Sequence, residues 1–134
     1  MIFVDTSAWL AVADGRDGNH GAAVRFQREL AAGSCGRLIT TDYVLDETLT
    51  LVRRRSGPAS VRALLAGIQA SRSVHSVWVS PTHFEAAKGL FLDQAANGWS
   101  FTDCTSFVVM RELGIELAFT FDSDFREAGF EVRP

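Results

Sequence analysis

The sequence predicts an α/β domain, a parallel sheet sandwiched by helices. Three observations carry that reading. Short apolar runs alternate with amphipathic stretches along the whole chain, and glycine, proline or Asn-Gly pairs stand at the boundaries between them. The 134 residues are 47% hydrophobic, enough for one core without disulfides or a structural metal and too few for two, so residues 1–134 are expected to form a single domain.

Taken in order, Ile2 to Val4 is a short apolar strand ending at Asp5, after which Thr6-Ser7 opens a helix through Ala8 to Ala13. The polar stretch Asp14 to Asn19 is a loop, and a helix from His20 to Ala32 stops at Gly33. A second strand, Arg37 to Thr41, leads into a helix from Asp42 to Arg55. Gly57-Pro58 interrupts the chain and starts another helix, Ala59 to Ser71. The β-branched run Val74 to Val79 is the third strand. Pro81 suits a first helical turn and opens a helix that Asn97-Gly98 ends. A helix from Thr102 to Leu113 stops at Gly114, Glu116 to Thr120 is a strand, Asp122 to Phe125 a turn, and Phe130 to Arg133 an edge strand.

Composition excludes several classes. No apolar run approaches the roughly 20 residues of a membrane span, and Asp5 stands where a signal peptide needs a basic and then an apolar stretch, so a cytoplasmic protein is expected. Cys35 and Cys104 have no zinc-type spacing around them and are read as packing residues. The net charge of −3 does not advertise a nucleic-acid binder, although Lys88 is the one lysine among 13 basic residues and arginine forks match phosphate oxygens in pairs.

The acids carry the chemistry. Ligand sites of parallel sheets lie beyond the carboxyl ends of the strands, and Asp5 and Asp122 both fall just after strands. Glu47 lies on the shoulder of the apolar face formed by Val44, Leu45, Thr48 and Leu51; Asp46 holds the opposite shoulder, so periodicity does not decide which acid turns inward. Asp103 shares a helical stripe with Phe107 and Met110, which points it toward the buried side, while Ser100-Phe101-Thr102-Asp103 also has the form of a capping box. Two carboxylates about 5 Å apart repel by roughly 3 kcal/mol at an effective dielectric near 20. A divalent cation removes that conflict, and an oxygen-only site suits Mg²⁺ or Mn²⁺ and phosphate substrates.

Four segments, Val4-Asp5-Thr6-Ser7, Asp46-Glu47-Thr48, Phe101-Thr102-Asp103-Cys104-Thr105-Ser106 and Phe119-Thr120-Phe121-Asp122-Ser123-Asp124-Phe125, together resemble the acidic signature of PIN domains, in the order found in bacterial VapC toxins. The resemblance implies a three-layer sandwich with a five-stranded, mainly parallel sheet. It implies a Mg²⁺- or Mn²⁺-dependent endoribonuclease whose ligands are Asp5, Glu47, Asp103 and Asp122, with Asp124 auxiliary and Thr6, Ser7 and Thr120 as supporting hydroxyls. It further implies an RNA substrate, a homodimer and a cognate antitoxin. A nuclease outside a toxin pair and a catalytically silent PIN module are the alternatives within the family. Phosphotransfer folds also place acids at strand ends, but Asp5-Thr6-Ser7 lacks the second acid of a DxD pattern and Lys88 falls in a helix.

Among the remaining residues, Arg53-Arg54-Arg55 reads equally as a helix C-terminal charge complement and as a contact for RNA or antitoxin. His20, His75 and His83 show no catalytic spacing. Trp9 and Trp78 are expected in the core or an interface, and Trp99, in the loop before Asp103, is the base-stacking candidate.

Overall fold

A computed structural model describes residues 1–33 and 36–134. Cys35 lies outside the described residues. Five strands, β1 (Ile2–Val4), β2 (Leu38–Thr41), β3 (Val74–Val77), β4 (Leu117–Phe119) and β5 (Glu131–Arg133), form one sheet in the order β3-β2-β1-β4-β5, with every neighbouring pair parallel. The connections carry α1 (Thr6–Ala13), α2 (His20–Ala32), α3 (Asp42–Ala70), α4 (Pro81–Asp93), α5 (Phe101–Glu112) and α6 (Asp124–Glu127). The expected α/β architecture is therefore present, with a sheet that is wholly rather than mainly parallel.

Side-chain alternation along β1 shows why helices cover both faces. Phe3 points toward α5 and α6, where its ring lies 6.1 Å from that of Phe125, which in turn meets Phe107 edge-on at 4.9 Å. Val4 points the other way and lines an apolar cavity with Trp9 of α1, Leu30 of α2 and Leu64 of α3. Both Phe3 and Val4 are buried, so an apolar run of three suffices for a central strand of a parallel sheet.

Most element boundaries follow local chemistry. Asp5 caps α1 by accepting from the Ser7 N–H at 3.1 Å, which starts that helix at Thr6, two residues before the apolar periodicity does. The two helices expected on either side of Gly57-Pro58 form α3 with a kink; Gly57 has φ 80°, a left-handed value that favours glycine, and Pro58 has no N–H to continue the ladder. Three expectations need correction. Strand β3 ends at Val77, two residues early, and α4 ends at Asp93, with a separate 3₁₀ turn at Ala95–Asn97 before Gly98. The segment read as a turn from Asp122 to Phe125 instead leads into the short helix α6, which begins at Asp124.

This topology fixes the location of the acids. The chain steps outward from β1 to β2 and β3 on one side, then returns to the other side of β1 for β4 and β5. The crevice at such a reversal lies between β1 and β4, at their carboxyl ends. In the β1–β4 pair Val4 is level with Phe119, so Asp5 and Thr120 emerge side by side.

A carboxylate site at the sheet's carboxyl edge

Asp5 is buried, and its Oδ2 accepts three hydrogen bonds: from the Ser7 N–H at 3.1 Å, the Ser7 hydroxyl at 2.8 Å and the Thr120 hydroxyl at 2.9 Å. The two hydroxyls accept in turn, Ser7 Oγ from the Phe121 N–H at 2.9 Å and Thr120 Oγ1 from the Asp122 N–H at 3.0 Å. Burial pushes the Asp5 carboxyl above its ordinary range, and the bonds from Ser7 and Thr120 oppose that shift by stabilising the anion.

Asp103 enters from α5. It is the third residue of a capping box in which its N–H donates to Ser100 Oγ at 3.0 Å and its Oδ2 accepts from the Ser100 N–H at 2.8 Å. Phe107 and Met110, on the same stripe, are buried as the periodicity predicts. The Asp103 pKa is pushed up to about 6, first by burial and then by the neighbouring Asp5 and Asp122 charges, against the lowering effect of Ser100. Asp122 and Asp124 follow β4, joined by a bond from the Asp124 N–H to Asp122 Oδ1 at 2.9 Å. Burial, then Asp122 and Glu127, raises the Asp124 carboxyl as well.

One oxygen from each of Asp103, Asp122 and Asp124 lies within 4.8 Å of the others, and Asp5 borders this group closely enough to repel Asp103. Asp122 and Asp124 both lie in this group. Glu47 does not share the tight triad. It is placed by the Thr6 hydroxyl, which donates to its Oε2 at 2.8 Å, whereas Asp46 is exposed. The inward acid of the pair is thus Glu47.

None of these five carboxylates has a lysine, arginine or histidine nitrogen within 4.0 Å among the described residues. Like charges held together without protein counter-charge suit a divalent cation, and the donor set, carboxylate oxygens alone, fits a hard ion.

Other sequence expectations meet mixed outcomes. Trp99 is not a stacking platform: it is buried, its ring turned inward and packed edge-on against Phe107 of α5 at 5.1 Å. Trp9 is in the core, while Trp78 is 77% exposed, since β3 stops one residue before it. Arg55 pairs with Asp17 at 3.2 Å and its carbonyl accepts from Arg16, so it ties down the loop between α1 and α2. His83 is used structurally, accepting from the Ser80 N–H and pairing with Glu112. Sequence reasoning missed a group of partly exposed rings around Phe101; only their spacing to Glu47 and Asp103 could have signalled it.

An acidic cluster at the topological reversal of a five-stranded parallel sheet defines a class, and the chain belongs to the PIN-domain family, which residues 2–131 match. Within that family it is a VapC-type member. It is 42% identical over 135 residues to the 23S rRNA-specific endonuclease VapC20 of Mycobacterium tuberculosis, an alignment covering 100% of this chain and 99% of that protein. It is 30% identical over 123 residues to a VapC ribonuclease of Archaeoglobus fulgidus, covering 91% and 77% of the two chains. The crystal structure of M. tuberculosis VapC20, described as a sarcin–ricin-loop-cleaving toxin, superposes with a TM-score of 0.89 at 41% identity, covering both chains fully.

Proposed function

We propose that this chain, folding as one PIN unit over residues 1–134, is a divalent-metal-dependent endoribonuclease and the toxin of a VapBC-type pair, with large-subunit ribosomal RNA as its substrate. The observation that carries the reading is the Asp103, Asp122 and Asp124 cluster, whose oxygens lie within 4.8 Å of one another without a cationic side chain beside them. Asp5, Glu47, Asp103 and Asp122 are the proposed catalytic ligands, Asp124 an additional one, and Mg²⁺ the ion, with Mn²⁺ able to replace it. A bound ion of this kind supplies charge for a scissile phosphate and acidifies water for in-line attack. The chain's own part is placement. Ser7 and Thr120 fix one oxygen of Asp5, Ser100 fixes Asp103 and Thr6 fixes Glu47. The identity of the relatives supports RNA as the substrate, and the sarcin–ricin loop named for VapC20 is the first substrate to test.

The antitoxin footprint is proposed along α3, where an apolar cavity of about 380 Å³ opens between α1, α2 and the second half of that helix, with an inserted cation of the antitoxin reaching the acids. Among the described residues no helix is long and apolar enough to cross a membrane, which accords with the proposed cytoplasmic site of action. The test is cleavage of a synthetic sarcin–ricin stem-loop in Mg²⁺, with analysis of the ends. Products bearing 5′-phosphate and 3′-hydroxyl support hydrolysis by water; cyclic 2′,3′-phosphates, or no cleavage of any RNA, overturn the mechanism or the function respectively.

A further inference from the structure

The acids of the site repel the backbone of RNA, and the net charge of −3 gives the chain as a whole no attraction for it. A bound ion meets only the cut phosphate, so affinity for the flanking nucleotides of a single-stranded or looped substrate needs another source, and aromatic rings near the acids offer one. Tyr43 lies one helical turn before Glu47 and therefore on the same side of α3. Phe101 precedes Asp103 by two residues, and the Asp103 carboxylate bends back to the Ser100 N–H beside it. The Phe101 ring is the centre of a group, with Phe84 at 5.0 Å, Phe91 at 5.8 Å and Tyr43 at 6.1 Å. Phe84 and Phe91 are 37% and 41% exposed. Tyr43 also lines a shallow groove with Asp42, Leu45, Asp46, Leu49 and the exposed Trp78. Rings from three separate helices, with Trp78 across the groove from Tyr43, thus form a track at the carboxyl edge of the sheet, flanked in the groove by Asp42 and Asp46.

Resting on the nuclease reading, we infer that this track is a base-stacking subsite, in which unpaired bases next to the cut phosphate lie against Trp78, Tyr43 and Phe101. Every base has a π-face, so such a track binds looped RNA without reading sequence. Base pairing hides those faces, which makes the track selective for loops over duplex.

The experiment uses the sarcin–ricin stem-loop with each nucleotide flanking the cut made abasic in turn, cleaved in Mg²⁺ by the wild-type chain and by Trp78→Leu and Tyr43→Leu. Trp78 is exposed, so its replacement leaves the fold intact and keeps the test sound even where Tyr43→Leu perturbs α3. At one or two positions the abasic RNA should lose about 5- to 150-fold in kcat/KM with the wild-type chain, the range that base–aromatic stacking supports. With Trp78→Leu or Tyr43→Leu the intact RNA should show a raised KM, and the abasic penalty should shrink to within about threefold. Cleavage that is indifferent to base removal, or variants that keep the full penalty, would overturn the track while leaving the nuclease reading standing. Variants that convert a dimer to a monomer in light scattering without altering base dependence would assign the rings to a protein interface and equally overturn it. A wild-type chain that cuts no RNA refutes the nuclease reading itself, and the track with it.

Discussion

Replacing Asp103 by Asn separates the role of this residue as a helix cap from its role in the acid cluster. The amide oxygen of Asn can accept from the Ser100 N–H as the carboxylate does, and the return bond from the residue 103 N–H to Ser100 Oγ is unaffected, so the capping box survives. What disappears is a negative charge that burial and the Asp5 and Asp122 charges disfavour, the effect that raises the pKa of Asp103 from 3.8 to about 6. At about 1.4 kcal/mol per pKa unit, ionised Asp103 costs the metal-free protein at most about 3 kcal/mol, and solvent screening at the pocket mouth brings this to about 1–3 kcal/mol. A chain of this length has an unfolding entropy near 0.3 kcal/mol/K, so the Asn variant should melt roughly 4–10 °C above wild type in EDTA at pH 7.5.

The sign follows from which state binds the proton more tightly. The folded-state pKa is raised, so the contribution of protonated Asp103 is fully present below pH 4 and is lost as pH rises through 6. The stability advantage of Asp103→Asn should accordingly vanish below pH 4 and be complete above pH 7. Saturating Mg²⁺ at about 100 times its Kd should stabilise wild type by about 2.7 kcal/mol and the variant by much less. RNA cleavage by the variant should fall by at least about 100-fold, the scale on which loss of one charged group aimed at a transition state is felt. The paired assay is melting with and without Mg²⁺ alongside cleavage. A variant less stable than wild type in EDTA at pH 7.5 refutes the repulsion argument, and one that cuts RNA normally with an unchanged Mg²⁺ shift removes Asp103 from the metal site.

Excess EDTA should abolish cleavage by wild type and either Mg²⁺ or Mn²⁺ should restore it; undiminished cutting in chelator contradicts the metal requirement. Glu47→Gln should lower cleavage at least about tenfold while Asp46→Asn stays within about twofold, since only Glu47 is held by Thr6. Thr120→Val should cost about 1–3 kcal/mol by leaving the Asp122 N–H and Asp5 short of a partner, and Thr120→Ser should recover most of it; equal stability of the Val and Ser variants in denaturant melts counts against the hydroxyl relay. Light scattering at tens of micromolar, an order-of-magnitude concentration well above micromolar affinities, should report a homodimer, and a strict monomer rejects that assembly.

How far the sequence discloses this protein depends on whether a signal is local. Strands β1, β2 and β4 and helices α2 and α5 follow apolar periodicity and their stop residues closely, because burial on a sheet and helix capping act over a few neighbours. Helix α6 has four residues, too few for a period to emerge, and so reads as a turn. Trp99 stands in a loop-like stretch of sequence, and only the packing of α4 on α5 reveals that the ring is buried against Phe107. The choice between Asp46 and Glu47 is likewise undecidable from periodicity, since both flank the apolar face. The Thr6 hydroxyl that settles it is 41 residues away in sequence. Strand-end placement brings out Asp5 and Asp122, whereas the proximity of Asp124 to Asp103 requires the α6 turn.

The hydroxyls around Asp5 explain how such a site stays assembled without counter-charge. Ser7 and Thr120 each direct a proton to Asp5 Oδ2 and each accept a backbone N–H from the segment after β4, so one carboxylate organises residues 113 to 115 positions apart. Neutral donors of this kind hold an anion's geometry without cancelling its charge. An arginine in the same position would have stabilised the pocket more and left less field for a bound cation, since a neutralised carboxylate is a poorer ligand. The arrangement therefore exchanges some stability of the metal-free protein for a pocket whose shape is set in advance and whose charge remains unmet. Among the described residues the three arginines in ion pairs find their partners elsewhere, Arg16 with Asp14 and Arg55 with Asp17 in the α1–α2 loop, and Arg133 with Glu29 near the sheet edge. Rigid placement with uncompensated charge is what a carboxylate metal site requires, and it also accounts for a nuclease whose own net charge is negative: the attraction for phosphate arrives with the ion.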